Sequence, residues 1–359
     1  MHDLSHPSLP VRLGADSEPV ADRRLEDLAG AAAEAASGGV PAAIRFAREL
    51  GGWLPDPGVD TRLRWEALAT LGAVDLSVAR VVEPHLDALA ILGEAGLREE
   101  TDDRRSWGVY AAEGPGARME ASTGADGSPV LTGRKPWCSL AGALDGALVT
   151  AWVDETRRGL YALDLRHDGV RFLDEPWVGH GLREVTSGPI ELTSVPAREV
   201  GGPGWYLERD GFAWGGIGVA AVWFGGAVGV ARRMVEQATR REPDQIALAH
   251  LGAVDARLAA AAALLGRTAD QVDGATDEGS LAGERAGLAA LRVRQVVADA
   301  VDDVLTRAAH SLGPAPLAKE PEHARRVADL QLYVRQHHAE RDAAALGSQL
   351  LAHRASEGA

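Results

Sequence analysis

The chain has 359 residues, 46% of them hydrophobic, enough to bury a large core and unlike a disordered chain. Its 37 Lys and Arg against 52 Asp and Glu leave a net charge of −15, so neither a general nucleic-acid surface nor an anionic-membrane face is expected. One cysteine, Cys138, excludes an intrachain disulfide, a paired-cysteine redox motif and a cysteine-based zinc site.

The start of the chain (MHDLSHPSLPVRLGADSEPV) lacks the basic, apolar, small-residue order of a signal peptide, so a cytoplasmic protein is expected, with residues 1–19 a flexible N-terminus. Only Lys135 and Lys319 are lysines, and the arginine excess reads as compositional bias, not phosphate recognition. Residues 20–104 read as helices. Leu25, Leu28 and Ala32 recur at helical spacing, Pro41 suits the first turn of a second helix, and Leu63, Leu68 and Leu71 mark a third. Asp75 is a fitting N-cap for LSVARVVEPHLDALAILGEAG. Glu83, His85 and Asp87 on that helix resemble a metal set only in letters. A spacing of two sends neighbours to different faces, so no metal site is expected.

Between 105 and 205 the texture changes. PVLTGRKPW, GALVTAW, GLYALDL and PIELTSV are short apolar runs separated by Gly, Asp and Ser turns, the pattern of an all-β module. After 206 helices return. Gly211–Ala231 holds 21 residues without a charge, long enough to span a bilayer, with Gly225 and Gly229 as a GxxxG pair. Seven of the 21 are glycine, which weakens both the helix and its transfer energy. A buried helix packed through glycine and alanine is expected there, and no membrane span. Gly216-x-Gly218-x-x-Ala221 matches a dinucleotide fingerprint in spelling, but WYLERDGFAW before it is no buried strand. Leu251–Leu265 predicts an alanine-rich helix, GRTADQVDGATDEGS a connection, and Val293, Val297, Val301, Val304 and Ala308 the apolar stripe of a bundle helix. Residues 349–359 are expected as a tail.

This order, with the phrases WGVYAAEGPG, LTGRKPWCS, WVGHGLREVTSGPIELTSVPAREVGG and GFAWGGIGVAAVWFGGAVGVARRM, resembles the acyl-CoA dehydrogenase family from residue 20 to residue 348. The resemblance implies an α+β multi-domain fold: a helical N-terminal domain (20–104), a middle β-barrel (105–205) and a C-terminal four-helix bundle (206–348). It implies FAD as cofactor and a homodimer or homotetramer. The implied activity is α,β-dehydrogenation of an acyl thioester, such as an acyl-CoA, or a similar small molecule, with hydride transfer to flavin N5.

The resemblance also implies roles. Trp137 would lie against the flavin ring, and Ser139 would offer its hydroxyl to the N5 edge. The strand Tyr110–Glu113, through Ala112 and Glu113, would present backbone amides to the pyrimidine end, with Ala112 where many members carry a hydroxyl. Arg240 falls at the pyrophosphate-binding arginine, though Arg-x-x-Phe here reads Arg240-Arg-Glu-Pro243. His310 and Gly313 fall in the family's Gln-x-x-Gly-Gly-x-Gly, here His310-Ser-Leu-Gly313-Pro-Ala-Pro316. The family's catalytic glutamate corresponds to His337 at one position and Val219 at the other, and neither is acidic. His337 or its neighbour His338 therefore stands as base, since imidazole titrates near neutrality, with Glu340 as a weaker candidate. Three alternatives stay open: a flavin monooxygenase that uses C-terminal histidines, a binding relative without redox chemistry, and two histidines that only cap a helix beside Arg335 and Asp342.

Overall fold

The computed structural model describes residues 4, 9–14, 23–98, 105–276 and 279–357. Four helices come first: α1 (Arg23–Ser37), α2 (Gly39–Leu50), α3 (Thr61–Val74) and α4 (Leu76–Glu94). Every residue of α3 from Leu63 to Ala73 is buried, so this helix is enclosed on all sides. Asp60 starts α3 by accepting from the Leu63 N–H, and Asp75 starts α4 by accepting from Ser77 and Val78, as the sequence predicts for Asp75.

The strands are β1 (Trp107–Tyr110), β2 (Met119–Thr123), β3 (Pro129–Lys135), β4 (Gly146–Trp152), β5 (Arg158–Asp164), β6 (Val170–Phe172) and β7 (Ile190–Val200). Their pairing closes a ring. β4 pairs with β5, β5 with β7, β7 with β3 and β3 with β2, all antiparallel, and β2 returns to β4 by one parallel step, Glu120 opposite Trp152. This is a β-barrel without an open edge in the ring, with β1 alongside β4 and β6 alongside β7. A register shift in β3 lies between Leu131 and Gly133, where φ is +126° and an added Cβ would overlap the Arg118 carbonyl oxygen, so glycine is required.

The C-terminal region is helical: α5 (Trp205–Glu208), α6 (Asp210–Arg240), α7 (Gln245–Val272), α8 (Gly283–Leu312), α9 (Pro314–Lys319), α10 (Pro321–Tyr333), a 3₁₀ turn (Val334–Gln336) and α11 (Glu340–Glu357). The glycine-rich stretch forms α6 and lies directly on α3. A Cβ on Gly225 would overlap the Ala69 carbonyl oxygen, and one on Gly72 the Val222 carbonyl oxygen, so the two backbones touch. By length and composition both α6 and α7 are apolar enough to cross a membrane, but 72% of the apolar window of α6 is buried in the protein, against 28% for α7.

Three expectations are corrected. Residues 266–272, expected as a connection, continue α7, because Leu265, Gly266, Thr268 and Ala269 keep its buried stripe. Residues 9–14, expected as flexible, lie packed on α3: Val11 and Leu13 are buried, and their N–H groups donate to Thr70 Oγ1 and Glu66 Oε1. The remainder of the expected N-terminal segment, apart from residue 4, lies outside the described residues. The expected tail continues α11 as far as Glu357.

Candidate active site

A cavity of about 560 Å³ opens where α4, the barrel and the C-terminal helices meet. Its barrel wall is built on Lys135, the last residue of β3. The Lys135 ammonium is buried and donates to Glu113 Oε1 at 2.7 Å and Thr150 Oγ1 at 2.8 Å. Burial opposes the charge on Glu113, but Lys135 and Arg158 outweigh it and hold the carboxyl below its usual range. Beyond Lys135 the chain turns through positive φ at Trp137 (59°) and Leu140 (57°). The turn is pinned, because the Cys138 and Leu140 N–H groups donate to the Gly188 and Thr186 carbonyls. The left-handed backbone swings the Trp137 indole off the strand to the cavity mouth, where the residue is 59% exposed.

Ser139 follows on the same wall. Its Oγ lies 2.7 Å from Ser187 Oγ and accepts from Arg80 at 3.1 Å, and Tyr110 donates to its carbonyl at 3.0 Å. β1 stops at Tyr110, so Ala111, Ala112 and Glu113 run along the wall outside the strand ladder. Trp177 completes this side, and its buried Nε1 has no hydrogen-bond partner among the described residues.

The second wall is α4. Arg80, Glu83 and Asp87 sit three and four residues apart and form one stripe facing the cavity. Burial pushes the Glu83 carboxyl up to about 7. Its Oε2 accepts from the Tyr333 hydroxyl at 3.4 Å and lies 3.8 Å from Arg80 Nη1. Burial also raises the Asp87 carboxyl, whose nearest cation is Arg209 at 3.9 Å. His85 lies on another face. Its Nδ1 accepts from the Trp107 N–H at 3.2 Å, and burial lowers its pKa to about 4.

The third wall is C-terminal: Val219 of α6, Leu332 and Tyr333 of α10, then Arg335, Gln336 and His338. His337 is not on it. That ring is 4% exposed, its Nδ1 accepts from the Ala339 N–H, and its Nε2 lies 3.7 Å from Asp342 Oδ2. Burial lowers its pKa. Glu340, exposed at the start of α11, is not part of the wall either.

No family model and no curated protein matches the chain by sequence. Solved structures do match in fold. A nitrososynthase from Micromonospora carbonacea var. africana aligns with TM-score 0.76 and 20% identity, over 94% of this chain and 98% of that one. FMN-bound TdsC, a dibenzothiophene monooxygenase from Paenibacillus sp. A11-2, aligns with TM-score 0.74 and 19% identity, over 92% and 98%. Butyryl-CoA dehydrogenase from Megasphaera elsdenii aligns with TM-score 0.71 and 18% identity, over 81% and 82%. The chain has the acyl-CoA dehydrogenase fold.

Within that acyl-CoA dehydrogenase fold, the residues singled out from sequence divide into two groups. Ala112, Glu113, Trp137, Ser139 and His338 come together on the cavity. Arg240, His310 and Gly313 lie elsewhere. Arg240, its side chain 65% exposed, pairs with Glu236 at 2.5 Å. His310 packs edge-on against His250 near the end of α8, and Gly313 turns at φ +69° ahead of Pro314 in α9. Cys138 is buried against the Lys135 and Pro136 carbonyls with its thiol pushed up to about 12, an inert side chain. The residues that sequence reasoning missed are Glu83 and Asp87. Their signal was the four-residue spacing that puts two carboxylates on one helix face, and it was obscured by His85 between them.

Proposed function

We propose that this chain is a flavin-dependent oxidoreductase whose cavity holds the flavin ring beside a small polar substrate. The observation that carries this reading is Trp137, a flat apolar side chain held by positive φ at the cavity mouth, where a planar ring would cover it. The rest of the wall fits the same group. Backbone leaves the ladder at residues 111–113, the Ser139 hydroxyl faces the cavity, and Trp177 Nε1 is a buried donor in want of an acceptor. A bound flavin supplies hydride acceptance at N5 and, once reduced, reaction with oxygen. Trp137 and Trp177 keep water from the ring, Ser139 offers a hydrogen bond, and Tyr333 with Glu83 can hold or move a proton on the substrate side.

Oxygen-dependent oxidation fits the walls better than dehydrogenation of an acyl thioester. Of the two positions where the family carries its glutamate, one holds Val219 and the other His337 behind the wall. With Arg240, His310 and Gly313 away from the cavity, the mononucleotide half of a flavin is what this chain's own cavity accommodates, and the remainder of FAD would fall to a neighbouring copy in a homodimer or homotetramer. The three-domain division near residues 104 and 205 belongs to the same reading.

The test is the visible spectrum and flavin content after separate additions of FMN and FAD, followed by reoxidation of the reduced protein in air. A bound flavin reoxidised by oxygen supports the proposal. Bleaching by an acyl-CoA under nitrogen would favour dehydrogenation instead, and failure to bind either flavin, oxidised or reduced, would refute both.

A further inference from the structure

The supply of hydrogen-bond donors and acceptors around the cavity is unequal. Its cations are committed largely to other groups, and the one beside an α4 carboxylate, Arg80, lies 3.8 Å from Glu83 Oε2 without a hydrogen bond to it. Arg335 pairs with Asp302 at 2.5 Å, and Arg80 donates to Ser139 and lies over the Tyr333 ring. Behind the wall, Arg64 donates to the Pro55 and Leu86 carbonyls, Arg209 pairs with Glu94 at 2.5 Å, and Arg294 donates to the Gly216 and Gln336 carbonyls.

The carboxylates of α4 are not so engaged. Glu83 is nine-tenths buried and faces the cavity, yet besides the 3.8 Å approach of Arg80 it accepts one long hydrogen bond, from Tyr333 to Oε2, and its Oε1 has no hydrogen-bond partner among the described residues. Asp87, one turn along the same face, accepts none among the described residues, and Arg209 stays 3.9 Å away. An ionised carboxylate has about four acceptor sites, and burial makes empty ones costly. Gly215 faces Asp87 without a side chain; a Cβ there would lie 2.8 Å from Asp87 Oδ1.

From this imbalance we infer that the cavity selects a substrate bearing a protonated amine, with Glu83 as the specificity-determining anchor and Asp87 as its second acceptor. An ammonium offers three donors and a positive charge, which matches two under-used carboxylates. A hydroxyl offers one donor, and a carboxylate or phosphate none. The inference rests on the cavity being the substrate site of the flavin enzyme proposed above.

Titration calorimetry on the flavin-loaded protein, with benzylamine, benzyl alcohol and benzoate as probes, tests it, and the same titrations on the flavin-free protein separate it from the flavin reading. The expected result is benzylamine binding about tenfold or more tighter than benzyl alcohol, with benzoate weakest. The preference should fall to within about threefold in Glu83→Gln and shrink in part in Asp87→Asn, while flavin content stays at the parental level. Should Glu83→Gln fail to fold, Asp87→Asn and Tyr333→Phe carry the comparison. Equal binding of amine and alcohol, no benzylamine binding, or an undiminished preference in the variants would overturn the inference and leave the flavin proposal standing. Selective amine binding in a chain that takes no flavin would do the reverse.

Discussion

Exchanging Glu83 for glutamine keeps the shape of the side chain and removes its ability to ionise. Burial holds this carboxyl at about 7, against an ordinary 4.5. The sign follows from which state ionises first. Below 4.5 the group is protonated in both states and contributes nothing. Between 4.5 and about 7 the unfolded chain gives up its proton while the native state keeps it, so native stability falls as pH rises. Above that window the native state carries a buried carboxylate, and the full penalty is present. At roughly 1.4 kcal/mol per pH unit, it amounts to about 3 kcal/mol. Asp87 on the same face is raised by the same burial, and removal of its charged neighbour adds an effect of equal sign. Glu83→Gln should therefore match the parent near pH 4.5 and exceed its stability by about 3 kcal/mol near pH 8. Urea unfolding of parent and variant at both pH values measures this, and the difference between them cancels every group that the two share. A stability difference that stays constant with pH, or that shrinks as pH rises, would refute the placement of Glu83 as a buried, under-solvated carboxyl.

Trp137→Ala should lower flavin retention about tenfold in equilibrium dialysis, through lost stacking, with little change in thermal midpoint because the side chain is mostly exposed. Undiminished flavin content would remove the main cofactor anchor. Gly225→Ala forces α6 away from α3 and should cost about 3 kcal/mol or more, so a parental denaturation midpoint would contradict the backbone contact. His337→Ala should destabilise the fold by about 2 kcal/mol, since it empties a buried position, whereas His338→Ala should leave stability unchanged and alter ligand binding. The opposite pattern in the two variants would put His337 in the site.

The barrel strands were legible because alternation and turn residues are local. PVLTGRK, GALVTAW and RGLYALD form β3, β4 and β5 almost letter for letter. Trp137 and Ser139 were legible because they share one short phrase. The acidic wall was harder to see. A helix buried on several sides, as α4 is, shows little amphipathic contrast, and only the packing of α10 against it makes one polar stripe distinct. Tyr333 reaches Glu83 across 250 residues of sequence, a separation over which no local pattern carries information. The histidines show the opposite failure. Motif alignment reached a turn beside the cavity, but whether His337 or His338 points at the cavity depends on Ala339, whose φ of +49° no motif announces.

The glycine-rich segment links these two outcomes. In letters it invited three readings, a membrane span, a nucleotide loop and a close-packed helix, and the last accounts for the cavity itself. Helix α6 can lie on α3 only because Gly225 has no side chain against Ala69 and Gly72 none against Val222. That approach brings Val219 to the cavity wall. On its other side α10 docks on α6, with Leu330 over Gly226, while Arg326 donates to the Ala73 and Val74 carbonyls at the end of α3. Asp329, in the same turn, accepts from the Leu182 N–H at 2.5 Å and ties α10 to the loop that carries Trp177. The position of Tyr333 beside Glu83 is thus set by contacts in the last two turns of α10. A methyl group on α6 that never touches the cavity would displace α10 and with it the hydroxyl partner of Glu83. The uncharged composition that makes α6 resemble a membrane helix is, in this fold, what allows two backbones to meet and holds a polar site at their edge.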